Sequence, residues 1–153
     1  MEYKGTLSSA LEFAEAGRLE EWIHTYLCTD GRNEPFSKGL RLLPRYYLAP
    51  AGMPLSLFTR CCGPEEHMKW RVDEEGFERR VSALMEAIRE KADIPPLIVH
   101  YFTEEDGAEG RFELNDGNHR LEAFRRLGIG EYAVIIWITE KWEFERFTET
   151  YLK

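Results

Sequence analysis

The densest group of chemically capable residues is the run Asp116-Gly117-Asn118-His119-Arg120. Arg120 is a permanent cation that can hold a phosphate through paired hydrogen bonds, and His119 can donate or accept a proton near neutral pH. Asp116 can ligate magnesium or take a proton from an attacking hydroxyl, and Gly117 lets a phosphate approach the backbone. The run predicts a nucleotide site. Its binding residues would be Gly117, Asn118, His119 and Arg120, its catalytic residues Asp116 and His119, and its metal ligand Asp116.

The same residues also have an ordinary structural interpretation. Asp116 or Asn118 can cap a helix, a role that contributes about 1 kcal/mol, and Gly117 can serve only a tight turn. His119 can bond to a neighbouring strand, and Arg120 can pair with a nearby glutamate. The residue types alone slightly favour this interpretation, because an Asp-Gly pair between a strand and a helix is common.

The residues on either side predict a strand before the run and a helix after it. Residues 111–115 are expected to be the strand, and residues 118–127 the helix, which ends at Gly128. The unpaired N–H groups and the dipole at the start of that helix favour anions. A buried strand at residues 97–102 is the expected hairpin partner, across an acidic turn around residues 106–107. The most β-prone segment, residues 132–138, is expected to be a further strand.

Apolar periodicity predicts four further helices, and the composition of residues 30–54 predicts an irregular segment. The expected helices run from a Thr6 cap to Gly17, over residues 19–26, over residues 77–91 and over residues 143–152. Glycines and prolines interrupt residues 30–54, which predicts an irregular segment with at most brief strands. The segment could be a flexible loop or a loop that covers a substrate, and the sequence leaves its role open. Residues 55–59 predict one more short strand.

Composition indicates one folded, acidic domain over residues 1–153. The chain is 43% hydrophobic and has 20 Lys and Arg against 28 Asp and Glu, a net charge of −8 that argues against a general nucleic-acid coat. Its longest apolar run is far shorter than the roughly 20 residues of a membrane span, and its first residues lack a signal-peptide pattern. Three cysteines, with Cys61 and Cys62 adjacent, predict reduced thiols and a cytoplasmic location.

Several segments together resemble the ParB N-terminal/sulfiredoxin superfamily. They are EGFERRVSALMEAIREK, PPLIVHYF, LNDGNHRLEAFRRLG and YAVIIWI, within residues 75–138. The resemblance implies an α/β (α+β) fold in which helices pack on a small mixed sheet. It also implies that residues 55–138 form the ParB/sulfiredoxin-like core and residues 1–30 a helical N-terminal addition.

The related motifs imply roles for single residues. ParB proteins bind the triphosphate of CTP with a GERR-like sequence, sulfiredoxins have GCHR at an ATP site, and free-serine kinases of the superfamily have DGHTR. Gly117 and Arg120 are shared with these motifs and would bind phosphate. His119 matches the sulfiredoxin histidine, and Asp116 matches the kinase aspartate. Asn118 stands where sulfiredoxins have their nucleophilic cysteine, so sulfinic-acid reduction is not expected, because an amide is not a nucleophile.

Two functional hypotheses follow, and the residues leave open whether turnover occurs. The first is a protein that binds ATP, ADP or CTP with Mg²⁺ and transfers or hydrolyses a phosphoryl group, with an unidentified small-molecule or protein acceptor. The second is a non-catalytic DNA-associated or protein-binding regulator. DNA is less favoured, because Arg125 and Arg126 are expected to pair with glutamates and no helix-turn-helix segment is evident. A membrane partner is not expected, and a nuclease is a weaker third option without paired carboxylates.

Overall fold

The structure is a computed structural model that describes residues 1–104 and 109–152. The described helices are α1 (Leu7–Glu15), α2 (Leu19–Cys28), α3 (Glu34–Leu40), α4 (Glu74–Arg89), α5 (Asn118–Arg126) and α6 (Lys141–Tyr151). The described strands are β1 (Tyr46–Tyr47), β2 (Ala51–Pro54), β3 (Cys62–Gly63), β4 (Trp70–Arg71), β5 (Leu97–Phe102), β6 (Arg111–Asp116) and β7 (Glu131–Ile138).

The main sheet is mixed, as the sequence predicts. Its β7 strand pairs antiparallel with β1 and β2 on one side and parallel with β5 on the other. On the far side of β5, β6 pairs antiparallel with it and completes the expected hairpin. The small strands β3 and β4 pair with each other in parallel outside this sheet. The chain therefore has an α/β fold in which β6 is an edge strand that leads directly into α5.

Both faces of the sheet are covered, because alternate residues of the inner strands point to opposite sides. On one face, Val99 and Ile136 are buried in a core with residues of α5 and α6. On the other face, Ile98 and Ile135 are buried against α1, α2 and α3. This two-sided burial explains why β5 and β7 are almost continuously apolar. The N-terminal helices thus cover one face of the sheet.

Most of the predicted elements are confirmed, with bounds within a few residues of those expected. The Thr6 side chain accepts the hydrogen bond from Ser9 N that caps α1. The brief strands expected before residue 55 are β1 and β2. The predicted turn at residues 106–107 lies outside the described residues. Among the helices that the structure describes, none is both long and apolar enough to cross a bilayer.

The prediction that residues 30–54 lack helix is wrong, because α3 occupies Glu34–Leu40. Pro35 lies in the first turn, where its missing N–H has no intrahelical partner to lose. Leu40 is buried in the core, and the buried Ser37 hydroxyl lies 2.7 Å from Nδ1 of His24. Tertiary contacts to α2 therefore stabilise a helix that its glycine and proline obscure in the sequence.

The strand predicted at residues 55–59 is also wrong. Leu55–Leu57 forms a short 3₁₀ helix, closed by a hydrogen bond from Phe58 N to Leu55 O. Leu55 and Phe58 are both fully buried in the core. Their spacing of three residues matches the 3₁₀ period rather than the alternation of a strand.

Gly117 forms the sharp junction between β6 and α5. Its φ of +112° lies in a region that L side chains rarely adopt. A Cβ atom there would lie 2.5 Å from Leu97 Cδ2 and 2.9 Å from Arg120 Nη2. The close approach and the backbone angle both require glycine at this position.

We expect Gly117→Ala to lower the free energy of unfolding by at least about 1–3 kcal/mol, from backbone strain together with the two close contacts. Gly130→Ala is the matched control, because a Cβ at Gly130 has no atom within 4 Å and its φ is not positive. That variant should be neutral or slightly stabilising. Urea unfolding measures both, and equal stability of the two variants would contradict the prediction.

Candidate functional site

A cavity of about 660 Å³ opens at the start of α5. Its wall combines the β6–α5 junction with residues from β3, β4, α4 and the turn between α2 and α3. The volume lies within the range of roughly 300–1,000 Å³ that is typical of small-molecule sites. Residues 116–119 of the sequence-predicted run therefore line a cavity large enough for a small-molecule ligand.

The structure separates Arg120 from the rest of the predicted run. Asp116, Gly117, Asn118 and His119 line the cavity, whereas Arg120 does not. The Arg120 guanidinium is buried and donates from Nη1 to the carbonyl oxygens of Pro95 and Pro96, each at 3.2 Å. Its Nη2 donates to Asp116 Oδ2 at 2.5 Å. The positively charged guanidinium of Arg120 is thus bound by protein groups and does not face the cavity.

The Asp116–Arg120 ion pair is almost fully removed from water. The exposed fractions of the two side chains are 12% for Asp116 and 6% for Arg120. The Arg120 guanidinium also lies 5.6 Å from the centre of the Tyr26 ring, which belongs to α2. Burial raises the pKa of Tyr26 to about 12, so its hydroxyl stays protonated at neutral pH. An N-terminal helix therefore contacts the motif directly.

Asn118 fixes the neighbouring loop. Its Oδ1 accepts hydrogen bonds from the backbone N–H groups of Cys61 at 2.8 Å and Cys62 at 3.1 Å.

The N-cap of α5 is Gly117, which offers no side chain, so the alternative that Asp116 or Asn118 caps this helix is wrong. The first N–H groups of α5 therefore have no side-chain acceptor at the cavity.

His119 is a neutral imidazole at physiological pH. Its ring packs against Phe77 of α4, with ring centres 5.0 Å apart. Burial lowers the pKa of His119 to about 4, and the nearby cations Arg80, Arg120 and Arg60 act in the same direction. A neutral ring at the cavity wall can accept a proton or a hydrogen bond.

The cations that face the cavity are ones that the sequence analysis did not single out. Arg32, Lys69 and Arg80 line it. Lys69 lies 3.8 Å from Glu113, but neither Arg32 nor Arg80 forms an ion pair with the residues that the structure describes. Arg80 follows the buried Phe77 by three residues on α4, a spacing that places it near the packed face of the helix. For Arg32 the sequence carries no comparable signal.

The basic face at Arg125 and Arg126 is engaged within the protein. Arg126 pairs with Glu78 at 2.6 Å and with Glu122 at 2.8 Å, and Arg125 donates to the Phe58 carbonyl. The expected pairing with glutamates is thereby confirmed for Arg126. These two arginines do not form a free patch for DNA.

The residues offer little for a metal held by protein alone. Over residues 1–104 and 109–152, no group of three or more His, Cys, Asp or Glu side chains is placed to bind a metal ion. Asp116 supplies one carboxylate, and Arg120 already engages it. Magnesium is commonly bound by one or two carboxylates together with substrate phosphates.

Fold and site together define a mixed α/β domain with a ligand-sized cavity at a strand-to-helix junction. The family model of the ParB N-terminal domain matches residues 69–145, half of the chain. The chain therefore belongs to the ParB N-terminal domain family. No curated protein matches it.

Solved structures give more distant similarities. Sulfiredoxin from Arabidopsis thaliana is 26% identical over 63% of this chain and 92% of its own, with a TM-score of 0.41. The C-terminally truncated chromosome-partitioning protein ParB from Caulobacter crescentus, solved with CTP-gamma-S, is 18% identical over 68% of this chain, with a TM-score of 0.43. This chain spans 53% of that structure's length and 40% of a Pnob8-like ParB-N domain, which is 18% identical with a TM-score of 0.38. These TM-scores are all below 0.5, so membership in the family rests on the match to the family model.

We expect Arg120→Met to lower the free energy of unfolding by about 3–5 kcal/mol, because it leaves the Asp116 carboxylate buried without its partner. Arg111→Met is the control, since Arg111 pairs with Glu104 while both side chains stay more than 60% exposed. That change should cost less than about 1 kcal/mol. Urea unfolding at pH 7 measures both, and a loss below 1 kcal/mol for Arg120→Met would refute the structural role.

We expect the ring protons of His119 to titrate near pH 4 in an NMR pH series. Because this pKa lies below the value of about 6.5 in an unfolded chain, the folded state binds fewer protons between these limits. The contribution of His119 to stability is therefore present above pH 6.5 and is lost as the pH falls toward 4. His119→Gln assigns the resonance by its disappearance. Titration near pH 6.5 would show that the ring is not desolvated.

Proposed function

We propose that this protein binds a nucleotide through its phosphate groups in the cavity at the start of α5. The observation that carries the proposal is the charge of the cavity wall. Arg32 and Arg80 face the cavity without ion-pair partners among the described residues, in a chain with a net charge of −8. The uncapped N–H groups at the start of α5 face the same space and favour an anion. Phosphate is the anion that this combination of donors suits best.

Membership in the ParB N-terminal domain family supports the proposal, because the motifs that the chain resembles imply a phosphate contact at Gly117, which lines the cavity. We divide the roles differently within this chain. Arg80 and the backbone of residues 117–119 would contact the phosphates. Arg120 would instead hold Asp116 and the β6–α5 junction in place through their ion pair.

Turnover is the more demanding part of the proposal. Asp116 is engaged by Arg120, so a base role for Asp116 would require that buried pair to open. His119 lines the cavity and forms no ion pair with the described residues, which makes it the better candidate to accept a proton from an attacking hydroxyl or water. Magnesium bound with the nucleotide would neutralise phosphate charge. Transfer and hydrolysis would both begin from this arrangement.

Isothermal titration of ATP, ADP, CTP and GTP with Mg²⁺ tests the binding proposal. We expect saturable binding of at least one nucleotide and an affinity about tenfold or more weaker for Arg80→Gln, since a hydrogen bond to a charged group is worth about 1.5–3 kcal/mol. Arg79→Gln is the matched control, because Arg79 is the preceding residue, is exposed and does not line the cavity. Absence of binding to every nucleotide, or equal affinities for the two variants, would overturn the site.

Release of inorganic phosphate from the bound nucleotide tests turnover separately. We expect His119→Gln to retain binding and to release phosphate about a hundredfold more slowly, the usual contribution of a general base. Wild-type protein that binds nucleotide and releases no phosphate would support the second hypothesis, a regulator that uses the nucleotide as a ligand only.

A further inference from the structure

The turn between α2 and α3 forms part of the cavity wall, although it lies outside the segment that matches the family. The turn contributes Arg32 and the start of α3 contributes Phe36, whereas the family match begins at residue 69. The cavity therefore has two walls from distant parts of the chain. One is the β6–α5 junction, and the other belongs to the N-terminal helical segment.

Backbone hydrogen bonds hold this turn in a defined conformation. Gly31 N donates to Tyr26 O at 2.7 Å, Arg32 N to Thr29 O at 3.2 Å, and Asn33 N to Leu27 O at 2.7 Å. Arg32 takes the left-handed backbone conformation with φ of +48°, and its side chain is exposed. The cation is thus carried on an ordered turn.

The turn is also tied to the motif on the opposite wall. The backbone carbonyl of Tyr26 accepts the hydrogen bond from Gly31, and the ring of the same residue packs against the Arg120 guanidinium. Arg120 in turn holds Asp116 at the cavity. This chain of contacts fixes the distance between the two walls. A ligand placed between them would meet a preformed site, which lowers the ordering cost of binding.

Two aromatic side chains face the cavity together with these cations. Phe36 is partly buried, and its ring centre lies 5.9 Å from that of Trp137 in the core. Trp70 also lines the cavity and is 60% exposed. Aromatic rings provide stacking surfaces for nucleobases, whereas a purely phosphate-binding site has no use for them.

We propose that residues 31–36, which comprise the turn after α2 and the start of α3, complete the site, with Arg32 contacting the phosphates and Phe36 presenting its ring to the base. This inference rests on the proposed nucleotide binding and specifies its ligand class. The ligand is a nucleoside diphosphate or triphosphate that is recognised at both ends, rather than an inorganic polyphosphate. The N-terminal helical segment is then a functional half of the site as well as a cover for the sheet.

Isothermal titration of the full chain with two probes tests this inference. The first probe is ATP or CTP with Mg²⁺, whichever binds wild type more tightly, and the second is inorganic tripolyphosphate, which has no base. We expect Arg32→Gln to weaken both probes about tenfold. We expect Phe36→Leu to weaken the nucleotide about tenfold and to leave tripolyphosphate binding unchanged.

Arg41→Gln is the control for Arg32, because Arg41 is exposed on the same segment and does not line the cavity. Thermal unfolding of Phe36→Leu shows whether loss of core contact, rather than loss of the ring face, weakens binding. Arg32 is exposed, so its variant tests the phosphate contact even if Phe36→Leu is unstable. A folded Phe36→Leu variant that binds both probes as wild type does, or weakens both equally, would overturn the base contact. If wild type binds nucleotide and Arg32→Gln matches Arg41→Gln, the inference is overturned while the proposed function stands. Absence of nucleotide binding to wild type overturns the proposed function itself.

Discussion

The structure around the cavity depends on one buried interaction, the ion pair between Asp116 and Arg120. Two charges can remain out of water only if each has a full set of partners. Arg120 obtains its partners from Asp116 and from the carbonyl groups of Pro95 and Pro96, and Tyr26 covers its guanidinium. The end of β6, the first turn of α5, the approach to β5 and an N-terminal helix must therefore meet at one point.

This constraint changes which residues are available for a ligand. The Arg120 guanidinium is engaged by protein groups, so the arginines that face the cavity without an ion-pair partner among the described residues are Arg80 of α4 and Arg32 of the turn after α2. They are 48 positions apart in the sequence. The cavity therefore has the rigid β6–α5 junction on one wall and cations from separate parts of the chain on the others.

Asn118 stabilises the loop beside the motif, because its side-chain amide oxygen accepts hydrogen bonds from the backbone N–H groups of Cys61 and Cys62. Both cysteines line the cavity, and burial raises the pKa of each thiol. They are therefore protonated at neutral pH and are poor nucleophiles. Asn118 therefore holds the loop at Cys61 and Cys62 against the start of α5.

The sequence by itself determined the elements whose signals are local. The apolar spacing of α2 and α4, the continuous apolar strands β5 and β7, and the Asp-Gly pair before α5 are each visible in a short stretch of sequence. The helix α3 was hidden, because its stability comes from packing on α2 rather than from its own residues. The contacts of Arg120 with the Pro95 and Pro96 carbonyl groups and with the Tyr26 ring were decided only by the tertiary structure, as were the cavity-facing positions of Arg32 and Arg80. These groups are far apart in the chain, and no local pattern records which of them will meet.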